Sequence, residues 1–145
     1  MKLKDILLEE NIIDKNFVDN WQQAVDIAAE PLLRDESIEL NYIEKMKENV
    51  NKYGNYMVLK DNFALMHARP EDGVNKTGFS LLKLKNSVDM EGKNVKIFLV
   101  LFAVDKEKHI EALSDLTKIL SDKENFDIFL NGDKKDIINL IKSVD

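Results

Sequence analysis

Cysteine is absent from the 145 residues, which excludes disulfides, thiolate metal sites and a cysteine nucleophile, and suits a reducing compartment such as the cytoplasm. Histidine occurs only twice, and with no third nitrogen or thiolate to complete a zinc site no metal is expected. No glycine-rich phosphate loop and no nucleophile elbow is present, so neither a nucleotide cofactor nor serine acyl chemistry is indicated. Long apolar runs are missing too. The longest, Ile97 to Val104, is far too short to cross a bilayer, which argues against direct membrane insertion. Met1–Lys4 is followed by Asp5, Glu9 and Glu10, an order of charges unlike that of a signal peptide. Asn75-Lys76-Thr77 is a chance sequon in that setting. Excess positive charge is lacking as well: the formal net charge is −6 and the lysines are interleaved with Asp and Glu, so no nucleic acid partner is expected.

What is present is the material for one core. With 44% hydrophobic and 33% charged residues, a chain of this length folds as one compact domain, residues 1–145, without covalent staples. No repeat, linker or low-complexity tract divides it. The first third reads as helical: Asp19 or Asn20 caps a helix carrying Trp21, Ala24, Val25 and Ala28, which Pro31 kinks or ends. A second helix runs from about Asn41 to Tyr53, with Tyr42, Met46 and Val50 four apart and Gly54 as its stop. The period then shortens. Tyr56–Leu59 and Phe63–Met66 read as strands split by a turn at Lys60-Asp61-Asn62. Thr77–Lys85 reads as a third strand, and Val95–Val104 as one covered on both faces. The last third is helical again. Asp105 is the expected N-cap of a helix burying Ile110, Leu113, Leu116, Ile119 and Leu120; helices carrying Phe126 and Phe129, then Ile137, Ile138 and Ile141, follow. The expected class is α/β, a single mixed parallel and antiparallel β-sheet flanked by α-helices.

The two histidines stand at places where chemistry is commonly presented. His67 closes the strand Phe63–Met66 and opens the polar stretch Ala68-Arg69-Pro70-Glu71-Asp72-Gly73-Val74. His109 falls in the first turns of the helix after the central strand, where the helix dipole favours a neutral imidazole and unpaired amides can receive an anion. A neutral imidazole is a competent nucleophile at phosphorus, and phosphoryl transfer needs mainly positioning and charge stabilisation, with Arg69 or Lys83 as possible helpers. A histidine at a strand end is more often solvated or structurally bonded, however, and Glu71-Asp72 more often solvated than an acid pair. Spacing alone leaves the function open.

The segment from Phe63 through His67-Ala68-Arg69-Pro70-Glu71-Asp72-Gly73-Val74 resembles the phosphorylation site of mannitol/fructose-type enzyme IIA domains of the sugar phosphotransferase system, and within them the ascorbate-type branch. Lys76-Thr77-Gly78 before a strand, Val95–Val104 leading into Asp105 and His109-Ile110-Glu111-Ala112-Leu113, and Asn49 through Tyr56 carry the resemblance over nearly the whole chain. It implies a phosphocarrier in which His67 is phosphorylated by phospho-HPr and passes the group to a cysteine of a separate enzyme IIB, which serves a membrane enzyme IIC. His109 would be the second active-site imidazole. Two positions depart from the pattern. Met66 replaces a proline common before the active histidine, and Asn49 stands where mannitol-type members carry an arginine. Phosphate stabilisation would then lean on amides, His109, Asn49 and Arg69. An apolar rim including Met66 and Phe79 would receive partners, with Glu71 and Asp72 steering a basic carrier. The alternatives are a regulatory phosphoacceptor, like nitrogen-type IIA proteins and domains of transcription regulators, and a small-metabolite-binding domain.

Overall fold

The computed structural model describes every residue except Lys106, Lys108 and Asp145. Five strands form one mixed sheet: β1 (Ile12–Lys15), β2 (Val58–Lys60), β3 (Asn62–Met66), β4 (Gly78–Met90) and β5 (Lys93–Phe102), in the order β1-β4-β5-β3-β2. β1 is parallel to β4 and β3 parallel to β5, whereas the β4–β5 and β2–β3 pairs are antiparallel. Among the described residues six α-helices accompany the sheet: α1 (Leu3–Ile6), α2 (Trp21–Arg34), α3 (Leu40–Tyr53), α4 (Ile110–Ser121), α5 (Lys123–Asn131) and α6 (Lys134–Ser143).

Alternation along the strands divides the core into two layers. Ala64, Met66, Leu82, Leu84, Phe98 and Val100 pack with α2 and α3. Their sequence neighbours Phe63, Leu81, Ile97 and Leu99 pack with α1 and α4–α6. A strand covered on both faces loses its period-two signal and reads as a continuous apolar run, as β5 does. The expected α/β class with a mixed sheet is the one observed.

Local chemistry explains most element boundaries. The Asn20 side chain accepts from the Gln23 N–H at 2.8 Å and caps α2, while Gly54 at φ 83 follows α3. Pro31 does not end α2, which continues to Arg34. Proline forfeits its own N–H bond but keeps its carbonyl, to which the Asp35 N–H donates at 3.1 Å. Strand β1 lies inside the third expected to be helical. It is four residues long with only Ile12 buried, too short to show a strand period. Between β4 and β5 the two-residue loop Glu91-Gly92 has φ values of 51 and 97, both in the left-handed region that tight hairpins require. β4 therefore runs five residues beyond its expected end at Lys85, its polar second half being held by pairing rather than burial.

The largest correction concerns α4. It starts at Ile110, not after Asp105, and His109 is its N-cap. Ile110 is exposed rather than buried, whereas Leu116 and Ile119 are in the core. Asp115 on α4 is buried and accepts from the Leu3 N–H at 3.0 Å, tying α1 to the α4–α6 layer.

Gly78 begins β4 under Phe102: a Cβ there would stand 2.7 Å from a ring carbon of Phe102. Gly78→Ala is expected to cost about 1–3 kcal/mol, as overpacking does. Urea unfolding should show a lower midpoint with an unchanged slope; an unmoved midpoint would mean the ring yields freely.

Candidate functional site

β3 ends at Met66, which is fully buried against α2 and α3. One residue later His67 emerges half-buried, its Nδ1 3.0 Å from the Leu65 carbonyl. A carbonyl oxygen only accepts, so the neutral ring that makes this bond carries its proton on Nδ1 and keeps the lone pair on Nε2. Tyr56 meets the His67 ring edge-on, with centroids 6.2 Å apart and planes at 90°. Tyr53 stands against Tyr56 in the same way.

The chain beyond His67 is held closely to α3. The Arg69 N–H donates to the Asp72 carboxylate at 3.1 Å, around a 3-10 turn at Pro70–Asp72. Asn41 Nδ2 donates to the Asp72 carbonyl at 3.0 Å, and the Glu39 N–H to the Gly73 carbonyl at 2.9 Å. Gly73 has φ 126, and a Cβ on it would stand 3.1 Å from the Cβ of Glu39, so glycine serves both the turn and the close approach.

Tyr42, one turn into α3, reaches under this loop. Its hydroxyl accepts from the Ala68 N–H at 3.0 Å and donates to the Leu101 carbonyl at 2.5 Å. The Ala68 carbonyl, at 3.4 Å, is too distant to compete for the single proton. Burial pushes the phenol up to about 12, the Ala68 N–H bond opposing and the nearby Asp72 charge adding to the rise. The hydroxyl therefore keeps its proton, and both bonds, throughout the physiological range.

Beside His67 lies an open cavity of about 680 Å³. One face of α3 lines it with Lys45, Asn49, Lys52 and Tyr53, at helical spacing, together with Glu48; Tyr56, His67, Ala68, Arg69 and Asp72 complete it. Lys45 is paired with Glu48 at 3.6 Å. Among the described residues no carboxylate lies within ion-pair distance of the Lys52 ammonium or the Arg69 guanidinium; the Lys52 Nζ sits 5.2 Å from the Tyr53 ring centre. A histidine with a directed lone pair, flanked by two cations without ion pairs, suits an anionic electrophile.

Of the residues singled out from sequence, the fold brings His67, Asn49 and Arg69 into this one cavity. His109 is not among its lining residues. It is half-buried as the α4 N-cap, and its Nδ1 is buried without a hydrogen-bond partner among the described residues. Topology sets its neighbourhood: Met66 on β3 stands opposite Val100 on β5, so the chains leading to the two histidines leave the sheet at the same edge. Lys83 is elsewhere, buried on β4 with Asp14 at 4.0 Å. Met66 and Phe79 form no rim, since both are fully buried. The exposed aromatic surface comes from Tyr53 and Tyr56, which are 61% and 47% exposed. Asp72 caps the loop by accepting from the Arg69 N–H, and Glu71 is exposed. Sequence reading passed over Lys52, Tyr53, Tyr56 and the role of Tyr42. For the first two a signal existed, their shared helix face with Asn49.

The fold and site define an α/β domain with helices on both faces of one sheet, presenting a histidine where a strand meets its loop. Residues 5–144 match the family described as the phosphoenolpyruvate-dependent sugar phosphotransferase system, EIIA 2. The chain is 36% identical over 132 residues to the ascorbate-specific PTS system EIIA component of Salmonella choleraesuis, covering 88% of this chain and 86% of the relative. The solution structure of the mannitol-specific cryptic phosphotransferase enzyme IIA CmtB from Escherichia coli superposes with a TM-score of 0.87 at 32% identity, covering 97% and 98% of the two chains. The fold is shared, at TM-score 0.75 and 20% identity, by enzyme IIA of mannitol in complex with phosphorylated enzyme IIB from Escherichia coli, over 94% of this chain and 96% of that one. The protein belongs to the enzyme IIA type 2 family of the sugar phosphotransferase system, and ascorbate-specific components are among its relatives.

The Leu65 contact makes a direct prediction. In long-range ¹⁵N–¹H spectra of the neutral ring, His67 should show a protonated Nδ1 and an unprotonated Nε2. The opposite tautomer would mean that the bond to Leu65 is not made in solution.

Proposed function

We propose that the chain is a cytoplasmic phosphocarrier, residues 1–145 acting as one unit, in which Nε2 of His67 accepts a phosphoryl group from phospho-HPr. The group then passes to a cysteine of a separate enzyme IIB that serves a membrane enzyme IIC. The carrying observation is the Nδ1 bond of His67 to Leu65 at 3.0 Å, which reserves Nε2 for attack at the edge of a cavity holding unneutralised positive charge. Membership of the enzyme IIA family supports the reading; with no cysteine in these 145 residues, the thiol acceptor is not among them. No helix among the described residues is long and apolar enough to cross a membrane.

The transfer is an in-line displacement. The Nε2 lone pair of His67 forms a bond to phosphorus as the donor's N–P bond breaks, and that electron pair returns to the donor imidazole. The phosphorylated ring retains its Nδ1 proton against the Leu65 carbonyl, and the donor ring, protonated on its second nitrogen, leaves as a neutral imidazole, so no proton moves. In the second step a thiolate of enzyme IIB attacks phosphorus, and the Nε2–P pair returns to His67. Charge on the transferring oxygens is offset by Arg69 and Lys52, with the Asn49 amide as a neutral donor on the same wall. His109 is the second imidazole. An unpartnered buried nitrogen at a helix N-terminus is a group still lacking its partner, and a phosphoryl group nearby would draw on it and on the α4 amides.

Incubation with phosphoenolpyruvate, enzyme I and HPr should add one phosphoryl mass, stable to base and lost in acid. His67→Gln should abolish it; His109→Ala and Arg69→Ala should slow it, each by roughly 10- to 1000-fold if it supplies a donor to the transition state. Label should chase onto enzyme IIB. Failure of folded wild type to take phosphate from active donors refutes the carrier reading, while uptake without onward transfer would make the protein a regulatory phosphoacceptor.

A further inference from the structure

The catalytic loop and the end of the central strand are joined through one side chain on a third element. The Tyr42 hydroxyl, on α3, links the amide of Ala68, the residue after His67, to the carbonyl of Leu101, next to the last residue of β5. Leu101 and Ala68 stand on segments that leave the sheet side by side, since Leu65 and Met66 pair with Leu99 and Val100. Beyond that pairing the ladder stops, and the chains diverge toward their own loops. The hydroxyl occupies the first place where the two backbones are no longer bonded to each other. It takes the donor of one and the acceptor of the other, which the ladder would otherwise have matched.

We infer that Tyr42 is a positioning residue for phosphoryl transfer, its hydroxyl holding the backbone at Ala68, and through it the His67 ring, in register with the end of β5 that leads to His109. The inference rests on the phosphocarrier reading and adds a residue that touches neither the phosphoryl group nor a partner. Tyr42 is 1% exposed, so it cannot meet a docked carrier. Its effect must pass through the backbone, whose peptide plane after His67 sets the direction of the Cα–Cβ bond and hence of Nε2. Among the described residues the Ala68 amide has no other partner: the neighbouring Arg69 amide is already committed to Asp72, and the Leu65 carbonyl, which fixes the ring plane, lies on the strand side. The phenol's resistance to ionisation suits the task, because a phenolate would lose its bond to the Leu101 carbonyl.

The test compares wild type, Tyr42→Phe and Ile43→Val. The last loosens the neighbouring buried contact of the same helix while leaving both hydroxyl bonds intact. Phosphorylation by phospho-HPr is followed by rapid quench over a range of donor concentrations, and thermal unfolding is measured on the same samples. The expected result for Tyr42→Phe is a maximal rate lower by roughly 10- to 100-fold, the size of a small misplacement of the reacting atom. Its half-saturating donor concentration should stay near that of wild type, because the docking surface is untouched. The His67 ring ¹⁵N shifts of the variant should also move toward the average of mixed tautomers as the Leu65 bond loosens. Ile43→Val should keep both the rate and the shifts even where its melting temperature falls as far. A wild-type maximal rate in Tyr42→Phe overturns the inference alone, as does a loss confined to donor affinity or shared equally by Ile43→Val. A wild type that takes no phosphate overturns the carrier reading and this inference with it.

Discussion

The pairing of β5 with an antiparallel neighbour on one edge and a parallel neighbour on the other governs the rest of the molecule. A strand buried on both faces has no water to satisfy its backbone, so both edges must be paired along its length. The tight hairpin at Glu91-Gly92 settles the first edge. The second goes to β3, and because β4 turns back to become β5, β3 and β5 run in the same direction. Their carboxyl ends then emerge together. Such an edge, where strands stop and loops diverge, is where backbone polar groups lack sheet partners and can be turned toward a ligand.

What surrounds His67 is a division of labour between held and free groups. The ring's Nδ1, the amides of Ala68 and Arg69, and the carbonyls of Asp72 and Gly73 all have partners. Nε2 and the cations of Arg69 and Lys52 are the groups left for a ligand. A phosphoryl carrier needs this combination, since its chemistry demands placement more than reactivity and a loop free to wander would lose the in-line geometry. The polar bonds around the loop secure it to α3, whose inner face is buried through Tyr42, Ile43, Met46 and Val50. The stability of the site is in that sense borrowed from the core.

Legibility from sequence followed the length and purity of the local pattern. α2 and α3 declare themselves because apolar residues recur at helical spacing, behind the Asn20 cap in α2 and ahead of the Gly54 stop in α3. β5 does so through its apolar run. β1 is invisible because one buried isoleucine carries no period, and the second half of β4 because polar residues such as Asp89, opposite Asn94, are held there by pairing. Asp105 is an ordinary capping residue and reads as the start of α4, yet the helix begins at Ile110 with His109 as its N-cap. Met66 and Phe79 were assigned to an exposed rim because apolar residues beside an active histidine look like a docking surface; each instead points into a core layer. Lys83 was equally plausible as a phosphate ligand until its strand set it beside Asp14.

By itself, then, the sequence determined the class of fold and the motif that marks His67, since each rests on composition or on residues near one another along the chain. Tertiary structure alone decided which wall His67 faces, that Asn49, Lys52 and Arg69 share it, that Lys83 does not, and that Tyr42 joins two loops from beneath. The reason is physical. Those relations are hydrogen bonds, ion pairs and contacts between residues 15 to 69 positions apart, fixed by strand register and helix packing, and no periodicity within a segment encodes them.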